Sequence, residues 1–372
     1  MNEKQRIRMA VVGLRFGQYI TDCQIGSGPG APFIELAGVF DLDNEKSATT
    51  ARRHHVRQYK TFDEILQDSS VEAVGLFTPP NGRAELIRKI IRAGKHVMTT
   101  KPFELDAKES LAVLSEARAL NKIVHANSPE PLPSMESAQI LQWQKEFQLG
   151  RPVAVRWETY TRCHEVADGG WYDDPEQCPV APIFRLGIYG INQLLLLCGK
   201  VDAVSVAHSR LFTGRPTADN AELSMQFANG ALGSVFASFC IDDGHRYANS
   251  LCIHYERGTV RSSALKTREN HDVIAKEFRL QALDERDQTI TRCLELNEEQ
   301  QAGKYQWDNF YRAVREGRPL DGEISPEMVA HSLQIINAMR EADKTGAQVF
   351  IPDLPHSRRG IKEIVVDKAA CC

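Results

Sequence analysis

An N-terminal α/β domain on a parallel sheet, followed by an α+β domain on a mostly antiparallel sheet, is the architecture the sequence predicts. Through residue 127, near-continuous apolar runs alternate with amphipathic stretches of about 10–15 residues, the pattern of a parallel sheet covered on both faces by helices. After residue 128, strand-like runs follow one another at hairpin spacing, which favours antiparallel pairing. The 372 residues suffice for two sizeable cores at a typical domain length of roughly 150.

In order, residues 7–13 (IRMAVVG) read as a strand ending in a Gly-rich turn, with a helix from Gln18. Strands are expected at 33–41, 71–78, 95–101 and 122–127, and helices between them at 44–55, 82–94 and 107–121. Residues 1–127 thus read as a Rossmann-type domain, an architecture whose strand ends are expected to bind a dinucleotide. In 128–372, expected to bind substrate and to self-associate, a helix is read at 129–147 and strands at 152–162, 201–211, 221–228, 231–241 and 249–263. Asn229-Gly230 marks a hairpin turn between two of them. Helical periodicity returns at 305–317 and 325–346, the latter closing on Gly346 with Lys344 in its last turn.

Composition narrows the function classes. Forty-five basic against 49 acidic residues leave a net charge of −4, so no basic surplus exists to neutralise a phosphate backbone, and nucleic acid is excluded as a general partner. The apolar stretch between Arg185 and Lys200 contains Asn192 and Gln193 and falls short of the roughly 20 apolar residues of a membrane span. The opening MNEKQRIRMAVVG lacks the apolar core of a signal peptide, which points to the cytoplasm. Nine cysteines without a C-x-x-C pair read as reduced thiols. Adjacent Cys163 and His164 point oppositely on a strand, so no metal site is expected; the terminal Cys371-Cys372 lacks a prenylation layout.

The chemistry begins at the first strand-to-helix turn, Gly13-Leu14-Arg15-Phe16-Gly17, which keeps part of the G-x-G-x-x-G fingerprint that brings a pyrophosphate to a helix N-terminus. Asp41 ends the second strand, where a carboxylate accepts hydrogen bonds from ribose hydroxyls and repels a 2′-phosphate, favouring NAD over NADP. Lys101 lies just beyond the end of another strand, at the crevice where doubly wound sheets bind ligands.

Thr78-Pro79-Pro80-Asn81, the AGKHV segment, Thr100-Lys101-Pro102 and the closing run from Asn309 to Ala342 together resemble the Gfo/Idh/MocA oxidoreductase family over nearly the whole chain. The resemblance implies a Rossmann domain, an open-faced C-terminal sheet, and hydride exchange between NAD(P) and a sugar, polyol or cyclitol hydroxyl. It places Thr78, Pro79, Pro80, Asn81, Lys101 and Pro102 on the cofactor, with the Lys101 ammonium at the nicotinamide and the substrate hydroxyl. In the segment from Phe184 to Asn192, Tyr189 fits a subgroup in which tyrosine replaces the usual histidine. The expected roles are Tyr189 as acid/base, with Lys101 stabilising its phenolate and relaying protons.

Three departures stand out: Thr100 replaces the usual Glu, Asn81 the usual His, and Arg185 the usual carboxylate. Arg185, four residues before Tyr189 on the same expected helix face, would either form a structural ion pair or capture an acidic substrate group. Trp171 would stack on a sugar ring or pack in the core. The competing readings are a noncatalytic NAD-binding regulator, disfavoured by the presence of both Lys101 and Tyr189, and an NAD-assisted glycoside hydrolase. An open sheet face needs covering, so a homodimer or homotetramer is expected.

Overall fold

The structure, a computed structural model, describes residues 5–162, 166–269, 272–284 and 286–353. Cys163, His164, Cys371 and Cys372 lie outside the described residues.

In the first domain β1 (Ile7–Val12) leads directly into α1 (Leu14–Tyr19), which continues as a π-helical turn over Ile20–Ile25. There follow β2 (Ile34–Phe40), α2 (Asn44–His54), β3 (Arg57–Gln58), α3 (Phe62–Gln67), β4 (Ala73–Leu76), α4 (Arg83–Arg92), β5 (His96–Thr99), α5 (Ala107–Ala119) and β6 (Val124–Ala126). The helix expected from Gln18 begins earlier because Gly13, at φ 85°, completes the turn alone. Asp43 and Asp106 start α2 and α5 by accepting backbone N–H bonds from the first turn. The six strands are parallel in the order β3-β2-β1-β4-β5-β6, the doubly wound Rossmann arrangement. Alternation along β1 sends Met9 and Val11 to one face and Ala10 and Val12 to the other, where they meet Ile87, Ile91 and Val113.

The second domain begins with α6 (Met135–Glu146), which starts later than the expected 129 because Pro129, Pro131 and Pro133 cannot donate to a helical ladder. It continues through β7 (Pro152–Tyr160), a 3₁₀ turn at Trp171–Asp173 and a π-helical segment, Ile183–Gly187, that runs into α7 (Ile188–Cys198). Next come β8 (Val201–Ser209), β9 (Asn220–Phe227), β10 (Leu232–Ser238), β11 (Ala248–Tyr255), β12 (Gly258–Thr267), β13 (Val273–Leu283) and β14 (Thr289–Asn297). The chain closes with α8 (Trp307–Glu316), α9 (Pro326–Thr345) and β15 (Val349–Phe350).

These strands make one nine-stranded sheet in the order β14-β13-β12-β11-β7-β10-β9-β8-β15, with β7 and β10 the one parallel strand pair described in this sheet. The run expected at 249–263 is a hairpin of β11 and β12, turning at Glu256-Arg257. One face packs Val155, Trp157, Leu223 and Val235 against Ile188, Ile191 and Leu194 of α7 and Ile335 and Met339 of α9. Leu232, opposite in parity to Val235, is exposed on the other face, and Val153 and Leu265 are exposed where the β7 and β12 ladders are irregular. Helix α8, expected with the second domain, instead seats Trp307, Phe310, Ala313 and Val314 among Ile7, Met9 and Val11 of the first.

Candidate functional site

A cleft of about 2090 Å³ lies between the C-terminal ends of the parallel strands and the second sheet. Crevices at these strand ends are where doubly wound sheets take ligands. At β1, a Cβ on Gly13 would sit 2.9 Å from the Phe77 carbonyl carbon and oxygen, so the turn approaches the end of β4 more closely than any side chain permits. Gly17 is buried against Val11. Asp41 accepts from the backbone N–H of Leu14 at 2.5 Å and of Asp43 at 2.8 Å, one bond to each oxygen. Each oxygen keeps a second lone pair for a ribose hydroxyl.

A glycine-formed turn, a carboxylate at the neighbouring strand end and a cleft of this volume fit a dinucleotide. Gly13, Arg15, Phe16, Asp41, Thr78, Pro79, Pro80, Lys101 and Pro102 line the cleft. Leu14 is buried and contributes through its backbone, while Asn81 is exposed and stands outside the lining. Arg15 reaches away from the turn to Asp168 at 2.9 Å and lies 5.4 Å over the Tyr172 ring.

Lys101 and Tyr189 meet at the other end of the cleft. The Lys101 ammonium donates to the Arg185 carbonyl and sits 4.7 Å over the Tyr189 ring. Burial, reinforced by the Arg185 charge and partly offset by Cys178, pushes Lys101 down to about 7. Tyr189 moves the opposite way from expectation: burial raises its phenol, and Glu130, Tyr247 and Tyr172 add to the rise against the lowering bond from Asn127. The physical reason is burial, the largest cause of the shift, with the Lys101 ammonium lying over the ring. Tyr189 therefore keeps its proton. Its oxygen accepts from Asn127 Nδ2 at 2.9 Å, which leaves its own O–H to donate.

Asn127, at the end of β6, was not marked by any motif, yet it joins the two groups. Its Oδ1 accepts from the Lys101 backbone N–H and from the Thr100 hydroxyl, both at 3.2 Å. Glu130 was missed as well. It accepts from the Gly303 N–H and forms no ion pair among the described residues, and burial pushes its carboxyl up to about 7. Gly303, at φ 87°, packs on the Tyr189 ring, where a Cβ would come within 3.0 Å.

Arg185 lies in the π-helical segment and lines the cleft with its guanidinium 3.8 Å over the Tyr172 ring and 4.8 Å from that of Phe239. Its charge lowers Lys101, while the phenol of Tyr189 is raised and not lowered as the sequence suggested. Trp171 lines the cleft too, 4.2 Å from Tyr172 and edge-on to Phe184. Among the described residues no group of three His, Cys, Asp or Glu side chains is placed to hold a metal, and no helix is long and apolar enough to cross a membrane.

Residues 7–128 match the family model described as the GFO/IDH/MocA oxidoreductase family, NAD-binding Rossmann fold, and residues 138–261 match the GFO/IDH/MocA C-terminal domain. An uncharacterized oxidoreductase of Schizosaccharomyces pombe is 28% identical over 47% of this chain and 51% of its own length. UDP-N-acetylglucosamine 3-dehydrogenase of Acidithiobacillus ferrooxidans is 26% identical over 56% of this chain and 61% of its own. The chain thus spans half to three fifths of the length of these relatives. Among solved structures, levoglucosan dehydrogenase in complex with NADH superposes with a TM-score of 0.72 at 20% identity, over 94% of this chain and 100% of that one. At that identity the likeness is one of fold.

Proposed function

The chain belongs to the Gfo/Idh/MocA oxidoreductase family and carries an NAD-binding Rossmann domain, and from that premise we propose that it oxidises or reduces a sugar, polyol or cyclitol with Lys101 and Tyr189 at the reacting oxygen. The observation that carries this reading is the pairing of a lysine near neutrality with a protonated tyrosine in the cleft, joined through Asn127. Bound NAD supplies the hydride acceptor, or the donor when reduced. Lys101 in its neutral form takes the hydroxyl proton as the carbonyl forms and returns it in the reverse direction. Tyr189 donates a hydrogen bond to the same oxygen and fixes its position. The hydroxyl of a sugar is a poor acid, and a base poised near the working pH with a donor beside it meets that need.

Asp41 supports a preference for NAD over NADP, since a 2′-phosphate would meet its carboxylate across the ribose. Arg185 lines the cleft beside Lys101 and is the residue whose guanidinium would take the carboxylate of an acidic sugar such as a uronate. The exposed apolar residues Val153, Leu232 and Leu265 on the strands of the second sheet support a homodimer or homotetramer. The relatives named above act on a nucleotide sugar and an anhydrosugar by name, which supports a carbohydrate substrate.

The test is a screen for NADH formation over aldoses, inositols, uronates and 1,5-anhydro sugars, run with both cofactors. Turnover is expected with NAD above NADP, and with uronates above neutral sugars. Tight NADH binding with no turnover on any of them would replace the enzyme by a regulator of the same fold. Cleavage of a nitrophenyl glycoside without NADH accumulation would replace it by a redox-assisted hydrolase.

A further inference from the structure

Arg83 is the first residue of α4 and is 1% exposed. Its Nη1 donates to the carbonyl oxygens of Thr100 at 2.6 Å, Phe103 at 3.2 Å and Pro102, and its Nη2 donates to that of Thr78. Thr78 follows β4, and Thr100 to Phe103 form the loop after β5 that carries Lys101. One guanidinium therefore joins the loops of two adjacent strands on both sides of the proposed base. A buried cation so placed would ordinarily seek a carboxylate, yet no ion pair to Arg83 forms among the described residues. The nearby Glu104 instead accepts from the backbone N–H groups of Ala84 and Leu105, both at 2.7 Å, and of Gly82 at 3.3 Å. Arg83 remains charged at neutral pH, since burial lowers it only to about 10.

Strand order decides which part of the cofactor these loops meet. Asp41, the ribose acceptor, ends β2, and the Gly13 turn ends β1; β4 and β5 lie on the far side of β1. A dinucleotide with its adenosine ribose at Asp41 and its pyrophosphate at Gly13 extends its nicotinamide half over the loops that Arg83 ties. We propose that Arg83 is a positioning residue for the nicotinamide half of the cofactor, clamping the Thr78 turn to the Lys101 loop so that the gap between them has one width. Arginine suits this task because its planar fork presents five donors to several carbonyls at once, whereas a lysine presents three from a single atom. The inference rests on the proposed placement of the nicotinamide at Lys101 and is independent of the sugar.

The experiment compares Kd for NADH and for ADP-ribose, which lacks the nicotinamide, in the wild type, Arg83→Lys and Arg83→Met, with thermal unfolding of each protein. The wild type should bind NADH more tightly than ADP-ribose. In both variants NADH should weaken by about 10-fold or more, the lower bound for losing a hydrogen bond from a charged group, while ADP-ribose changes less than about twofold. Arg83→Lys keeps the charge beside Glu104 and stands as the folded comparison where Arg83→Met loses its cooperative transition. Equal weakening of both ligands, unchanged discrimination, or failure of both variants to fold would overturn the clamp. A wild type that binds the two ligands alike would overturn the placement of the nicotinamide itself, so the two failures are distinguishable.

Discussion

An ammonium withdrawn from water is easier to deprotonate, and Arg185 beside it strengthens the effect, which brings Lys101 to about 7. As a base it must be neutral, so the rate of substrate oxidation should rise as pH climbs through 7. Lys101→Met should lose roughly 100- to 10,000-fold in kcat together with that rise. A variant that kept the same pH profile would assign the titration to another group. Glu130 supplies a stability counterpart of the opposite sign. Its folded pKa, about 7, lies above the ordinary 4.5, so the folded chain binds the extra proton between these values and loses stability as pH rises from 4.5 through 7. In Glu130→Gln the fall in Tm over that window should be smaller than in the wild type; an unchanged pH dependence would show that Glu130 does not titrate there. Lys101 and Tyr189 could be found in the sequence because motifs mark them. Asn127, Glu130 and Arg83 could not, since each is an ordinary polar residue whose meaning comes from a partner distant in the chain, as with Glu130 and Gly303.

The turn from β1 to α1 was legible from its glycines, but the start of its helix was not. Gly13 at φ 85° serves as the turn by itself, and a pattern search that looks for apolar spacing finds periodicity only further on. Gly13→Ala puts a methyl 2.9 Å from the Phe77 carbonyl in a sparsely populated backbone region that costs a non-glycine residue about 1–3 kcal/mol before any clash is counted. The expected result is a lower Tm and a loss of NADH and ADP-ribose binding alike, because the pyrophosphate turn serves both ligands. Retained ADP-ribose affinity would mean that the pyrophosphate does not use this turn. The hairpin of β11 and β12 shows the other limit of pattern reading. Glu256-Arg257 is not a turn dipeptide, so two strands read as one run.

At the scale of the whole chain, the two sheets divide where the grammar changes, between Ala126 and Pro152, but the cores do not. One face of the parallel sheet is closed by α8, more than 170 residues beyond β6, through Trp307, Phe310, Ala313 and Val314. Amphipathic spacing announced this helix without saying which sheet it would cover, since periodicity gives the face and not its partner. Arg15 reaching Asp168 adds a second tie between the halves. Residues 1–127 alone would therefore leave Ile7, Met9, Val11 and Ile34 without much of their cover, and an exposed apolar face of that kind drives association. The fragment should give no cooperative thermal transition and no NADH binding, whereas the full chain should give both. Joining residues 305–320 to it through a flexible linker should restore part of the transition. A fragment of 1–127 that unfolds cooperatively and binds NADH would mean that α8 is dispensable to the first core.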